Sequence, residues 1–273
     1  MMALSHNDSI RASQSMRQHL CLPYLLSARC SLFSLLLGLL LVLSGCTNQG
    51  TSPATAPSTK AQRVYVALGA SDTFGLGTDD PYTQNWAYDL AAKLGTRYRF
   101  VNLGIPGVLV HQALNVELPI ALDNHPDLVT IWLAVNDIAA HVPAASYAHD
   151  FETLLSRLRS SQPHLRMAVA NVPDLTVLPY FYPLFISKSD TSLSKQERQA
   201  HVQQRIREQV DAYNKVITPI VQKYSAILVD LSRTNYDLQN HPTYISQDGL
   251  HPTALGYQRL ADLFYQALQK GDA

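Results

Sequence analysis

Between Leu128 and Val135 the chain reads Leu-Val-Thr-Ile-Trp-Leu-Ala-Val, an apolar run broken by a single threonine. A strand with one wet face would alternate apolar and polar residues. A continuous run fits a parallel strand covered on both faces. Such a strand needs parallel neighbours and helical crossovers to cover it. Strand-like runs at Val64–Leu68, Tyr98–Leu103, Leu165–Val172 and Ala226–Leu231 supply the neighbours. Helical patterns lie between them: Asn85–Leu94 with Trp86, Leu90 and Leu94 at spacing four, Val110–Leu122, and a stretch marked by Phe151, Leu154, Leu155 and Leu158. The clearest helix carries Val202, Ile206, Val210, Tyr213, Ile217, Ile220 and Tyr224 on one face, and Ala254–Gln269 closes the chain. Pro173 to Lys195 reads as one long irregular segment. The expected fold is α/β, with a parallel central sheet between two helical layers. In such sheets ligands bind at the carboxyl ends of the strands, where Ser71, Gly104, Asn136 and Asp137 should gather.

The N-terminus reads as a separate object. Arg11, Arg17 and Arg29 precede the apolar run Ser31–Leu43, which is short for a membrane span and has the length of a signal-peptide core. It ends in Leu43-Ser44-Gly45-Cys46, which resembles the lipobox of bacterial lipoproteins. The resemblance implies cleavage before Cys46 and lipidation of that residue. All three cysteines, Cys21, Cys30 and Cys46, lie at or before the cut, so the domain itself holds no disulfide. Residues 46–62, with their Thr, Asn, Gln, Ser, Pro and Ala, have no apolar periodicity and read as a flexible tether. The expected organisation is therefore a signal peptide over 1–45, the lipidated cysteine and tether over 46–62, and one domain over 63–273. The expected location is outside the cytoplasm, anchored by lipid to the cell membrane or outer membrane.

The formal net charge is zero and 15% of the 273 residues are charged, so no basic footprint argues for a nucleic-acid partner. No metal-ligand spacing, phosphate loop or dinucleotide fingerprint is present, and no cofactor or metal is expected.

Four motifs carry the chemistry: Gly69-Ala70-Ser71-Asp72, Asn102-Leu103-Gly104, Ala134-Val135-Asn136-Asp137 and Asp248-Gly249-Leu250-His251. A serine hydroxyl is a weak nucleophile at neutral pH and needs a neighbouring base. Histidine suits that task, and a carboxylate fixes its tautomer and stabilises the imidazolium. Asp-x-x-His sets both groups on one short loop. Acyl transfer also needs donors aimed at the developing oxyanion, and a glycine N–H and an asparagine amide serve without adding charge. The Gly-x-Ser-x-Gly elbow of α/β-hydrolases is absent, because Thr73 stands where its second glycine would be. Each residue also has a plainer reading: Ser71 as a turn or cap, Gly104 as a strand-to-loop glycine, and Asn136 and Asp137 as helix caps.

In this order and at these separations the four motifs resemble the blocks of the SGNH, or GDSL-type, hydrolases. The resemblance spans the whole domain and implies a flavodoxin-like three-layer α/β/α fold acting on esters. It implies Ser71 as nucleophile, His251 as general base and Asp248 as its orienting acid. Ser71 N–H, Gly104 N–H and the Asn136 side chain would form the oxyanion hole. The chain departs from the family pattern at Ala70, where aspartate is usual, and at Ala134, where glycine is usual. The implied partner is a small-molecule, lipid or glycan ester. A carbohydrate O-acetylesterase, an acyltransferase on the same site and a binding lipoprotein without turnover are alternatives. The apolar segment Leu175–Ile186 reads either as a lid over an acyl substrate or as a loop packed on the core.

Overall fold

The computed structural model describes residues 62–232 and 235–271. The signal segment 1–45, Cys46 and the tether apart from Gln62 lie outside the described residues. Among the described residues no helix is long and apolar enough to cross a membrane.

The apolar runs form β1 (Arg63–Gly69), β2 (Tyr98–Asn102), β3 (Leu128–Trp132), β4 (Arg166–Ala170) and β5 (Ile227–Val229). They pair in parallel throughout, in the order β2-β1-β3-β4-β5. β3 is buried along its whole length, as its unbroken apolar run requires. The strand order reverses between β1 and β3, which opens a crevice at their carboxyl ends. Ser71 follows β1 and Asn136 follows β3, so both stand at that crevice.

Two sets of helices cover the sheet. α2 (Trp86–Leu94), capped by the Asn85 side chain 2.8 Å from Tyr88 N, packs on the closing helix. The Trp86 ring stacks on Phe264 of that helix at 4.2 Å. The other set centres on Tyr147, Phe151 and Tyr213, whose rings pack together and which are fully buried. The longest helix runs over Lys195–Lys223 and starts at Ser194, which shares a capping box with Glu197.

Four expectations need correction. Val110–Leu122 is two helices, Val110–Val116 and Leu118–Asp123. Pro119 has no N–H to continue the first helix, so it sits in the first turn of the second and leaves Glu117 at the break. The strand over Leu128–Val135 ends at Trp132, and the helix Val135–Ala139 takes Asn136 and Asp137 into its first turns. The strands Leu165–Val172 and Ala226–Leu231 likewise shorten to β4 and β5. The segment Pro173–Lys195 is partly ordered, with short turns of helix at Leu175–Val177, Phe181–Leu184 and Lys188–Ser192. Within it Phe181 and Phe185 are buried, so they pack on the core, while Tyr180 and Ile186 are exposed.

Between β3 and the following helix the chain passes through Ala134 at φ 145°, a conformation that a Cβ disfavours. Such strain costs on the order of 1–3 kcal/mol, partly offset because glycine loses more entropy on folding. Replacing Ala134 with glycine is expected to raise stability by roughly 1 kcal/mol. Urea denaturation checks this, and a lowered midpoint would contradict it.

Candidate active site

β1 delivers Ser71 through a turn that leaves no room for side chains. A Cβ on Gly69 would lie 2.0 Å from Thr73 Oγ1 and 2.8 Å from the Trp132 carbonyl. Ser71 opens the short helix α1 (Ser71–Phe74) and is 6% exposed. The loop after β2 packs on α1 just as closely. A Cβ on Gly104 would meet Phe74 N at 2.5 Å and Thr73 C at 2.8 Å. The Asn102 side chain ties the two loops together, donating to Thr73 O at 2.7 Å and accepting from Gly104 N at 2.9 Å.

The acid and base share a closed loop. Ile245 bridges to Pro252, and Ser246 N donates to His251 O at 2.8 Å. Asp248 Oδ1 accepts from Ser246 Oγ at 2.8 Å, Leu250 N at 2.8 Å and His251 N at 2.9 Å. Asp248 Oδ2 lies 2.6 Å from His251 Nδ1, so the imidazole donates Nδ1–H there and leaves Nε2 for proton transfer. Burial pushes the Asp248 carboxyl up, but the hydrogen bonds from His251, Leu250 N and Ser246 outweigh it and bring it down to about 2. The carboxylate is therefore fixed as an anion beside the ring.

Backbone packing brings this loop to α1. Gly77, at φ 95°, lies so near this loop that a Cβ there would be 2.8 Å from His251 Cβ and 2.6 Å from Pro252 O. Tyr257 Oη donates to Leu76 O at 2.6 Å and pins the same loop to the last helix, α9 (Ala254–Lys270). The elements bearing Ser71, Asp248 and His251 are thus joined through the stretch from α1 to Gly77.

The expected oxyanion donors are already engaged in part. Gly104 N–H goes to Asn102, so a substrate oxygen would share it or displace that amide. One hydrogen of Asn136 Nδ2 goes to Val108 O at 3.1 Å, which leaves the other free. Asp137 reaches beyond its own helix. Its buried carboxyl accepts Val110 N–H at 3.3 Å and holds the helix Val110–Val116 against the loop below. Burial raises its carboxyl to about 6 against the Val110 hydrogen bond.

Two carboxyls near the site escaped sequence reasoning. Asp72, directly after Ser71, is 8% exposed, and burial lifts it to about 6 while His251 pulls it back. Glu117 is completely buried beside the backbone of Gly69 and Ile105, whose hydrogen bonds only partly offset the loss of water around its carboxyl. Burial raises it to about 8. Pro119 was the available signal, because the helix break it forces sets Glu117 facing inward. Among the described residues no group of three or more His, Cys, Asp or Glu side chains could hold a metal ion.

The model of the GDSL-like lipase/acylhydrolase family matches residues 67–259. The chain belongs to that family. Its fold is the five-stranded parallel α/β sheet of the GDSL hydrolases, and its activity class is ester hydrolysis. A protein described as a GDSL-like lipase from Parabacteroides merdae aligns with a TM-score of 0.56 at 18% identity, covering 76% of this chain and 96% of that one. A family 3 carbohydrate esterase from Clostridium thermocellum aligns at 0.55 and 20% identity, covering 77% and 97%. A variant of an acetyl-xylooligosaccharide esterase from Geobacillus aligns at 0.56 and 16% identity, covering 76% and 94%. At these identities the likeness is one of fold. No curated protein matches the chain.

The buried Glu117 gives this GDSL domain a pH signature. Its folded value of about 8 lies above the ordinary 4.5, so the stability it contributes is complete below about 4.5 and lost as pH rises towards 8. The slope is at most about 1.4 kcal/mol per pH unit. Unfolding free energy should therefore fall between pH 5 and 8 more steeply in the wild type than in Glu117→Gln. Parallel curves would contradict this.

Proposed function

We propose that this GDSL hydrolase is an exported, membrane-tethered serine esterase working through an acyl-enzyme on Ser71. The observation that carries the reading is the 2.6 Å contact of His251 Nδ1 with an ionised Asp248, on a loop packed against Gly77 in the stretch that follows the Ser71 helix. That arrangement leaves His251 Nε2 as the base.

The steps follow from the groups in place. His251 Nε2 takes the Ser71 hydroxyl proton as Oγ attacks the ester carbonyl. The imidazolium so formed stays hydrogen-bonded to Asp248. Negative charge on the carbonyl oxygen is met by Ser71 N–H, the free Asn136 amide hydrogen and Gly104 N–H, and each such donor is worth roughly 3 kcal/mol. His251 then returns its proton to the leaving alcohol as the carbon–oxygen bond breaks. Water, activated by the same base, frees the acid and restores Ser71. Cys46, cut and lipidated, would hold the domain at the membrane surface through the tether over 46–62, a placement that rests on the Leu43–Cys46 sequence.

One experiment tests both halves: full-length protein expressed in a bacterial host, fractionated and assayed on p-nitrophenyl acetate. Activity should sediment with membranes, fall at least about a thousandfold in Ser71→Ala, and move to the soluble fraction in Cys46→Ala. A folded Ser71→Ala protein with full activity would remove the nucleophile assignment. Membrane-bound Cys46→Ala would remove the anchor.

A further inference from the structure

A small pocket is lined by residues next in sequence to the proposed machinery. Asp72 follows Ser71, Val135 precedes Asn136, and Leu250 and Pro252 flank His251; all four line it. Trp132 and Tyr236, 5% and 1% exposed, also line it, together with Tyr244 and apolar side chains that include Leu175 and Leu178. Tyr236 stacks on Tyr244 at 5.9 Å with the rings 10° from parallel, so two of the lining rings hold each other in place. The space open to atom centres inside is only about 20 Å³. That is enough for about one or two water-sized groups.

The other side of the site is different. The loop that carries Gly104 continues into an open groove of about 420 Å³ that runs from Ile105 to Val116. Val108, on its rim, accepts the Asn136 amide, so the groove begins at the oxyanion donors. An ester bound at Ser71 has one arm on each side of its carbonyl. A pocket this small receives the end of a molecule, whereas a groove about twenty times roomier receives the part that continues.

We infer that Asp72 closes the acyl side of the site, restricting the acyl group to about two or three carbons and leaving the groove to a large alcohol. This rests on Ser71 as the nucleophile. The substrate class is then short-chain, acetyl-type esters of bulky alcohols. Two physical effects act together. The Asp72 side chain occupies the depth that a longer chain needs, and its carboxyl would lose hydration against methylenes that offer it no hydrogen bond. Burial sets that carboxyl near 6, so above that pH the wall bears a charge that alkyl groups avoid. The Ser71 mechanism itself is unchanged.

Isomeric esters separate the two arms. Pentyl acetate and methyl hexanoate have the same atoms, with the long arm on the alcohol or on the acyl side. The full-length wild type in detergent should favour pentyl acetate by at least about tenfold in kcat/KM, the scale on which a pocket discriminates methylenes. Asp72→Ala, which removes both bulk and charge, should raise the methyl hexanoate to pentyl acetate ratio by about tenfold. Asp72→Asn, which keeps the bulk, should stay closer to the wild-type order. Preference of the wild type for methyl hexanoate would overturn the inference even if Asp72→Ala failed to fold. An unchanged ratio in a folded Asp72→Ala protein would overturn it too. Absence of turnover on every ester by folded wild type would instead strike the Ser71 reading, and this inference with it.

Discussion

The site depends on backbone packed against backbone around α1. Gly69, Gly77 and Gly104 each stand where a Cβ would come within 3 Å of main-chain or loop atoms. These contacts press the turn bearing Ser71 against the loop after β2 on one side and the Asp248–His251 loop on the other. Side chains then lock the joints: Asn102 between Thr73 and Gly104, and Tyr257 on Leu76. Elements far apart in sequence converge because the strand order reverses between β1 and β3, which opens the only kind of crevice that a singly crossing parallel sheet offers at its carboxyl edge.

The carboxyls of the region are sorted by their partners. Asp248 is held down to about 2 by several donors converging on it, although burial acts against them. Asp72, Asp137 and Glu117 have fewer donors, and burial raises them to about 6, 6 and 8. The carboxylate beside His251 is thus ionised at every pH near neutrality, while Asp72 and Asp137 lose their protons only above about 6 and Glu117 only above about 8. Separating the behaviour of like groups by environment is how one fold runs acid and base chemistry together.

The alternation of apolar runs and helical faces was enough to place all five strands; the central β3 was plainest, because a doubly covered strand has a composition that few other elements share, while the edge strands β2 and β5 are only partly buried. Asp-x-x-His was legible because its geometry is local, and four residues on one loop determine it. Other features depended on contacts across the fold. Pro119 split a helix whose apolar spacing runs straight through the break. The segment bearing Phe181 and Phe185 read in sequence either as a lid or as a loop packed on the core, since exposure cannot be read from composition, and both rings turn inward in the fold. Asp72 lay in plain view beside Ser71, yet its place in a pocket wall follows from Leu250, Pro252 and Tyr236, which come from the other end of the chain. Asp137 had the residue type and position of a cap, and its carboxyl also holds Val110 N–H at the start of a different helix.

The measurement that tests the account most directly is covalent capture of the nucleophile. The folded, full-length protein would be treated with an alkyl fluorophosphonate, digested and analysed by mass spectrometry. The account expects one adduct, on the peptide carrying Ser71, formed far more slowly when Asp248 or His251 is replaced because the base is then misplaced or missing. An adduct on another serine, or labelling of Ser71 at an unchanged rate without His251, would contradict it.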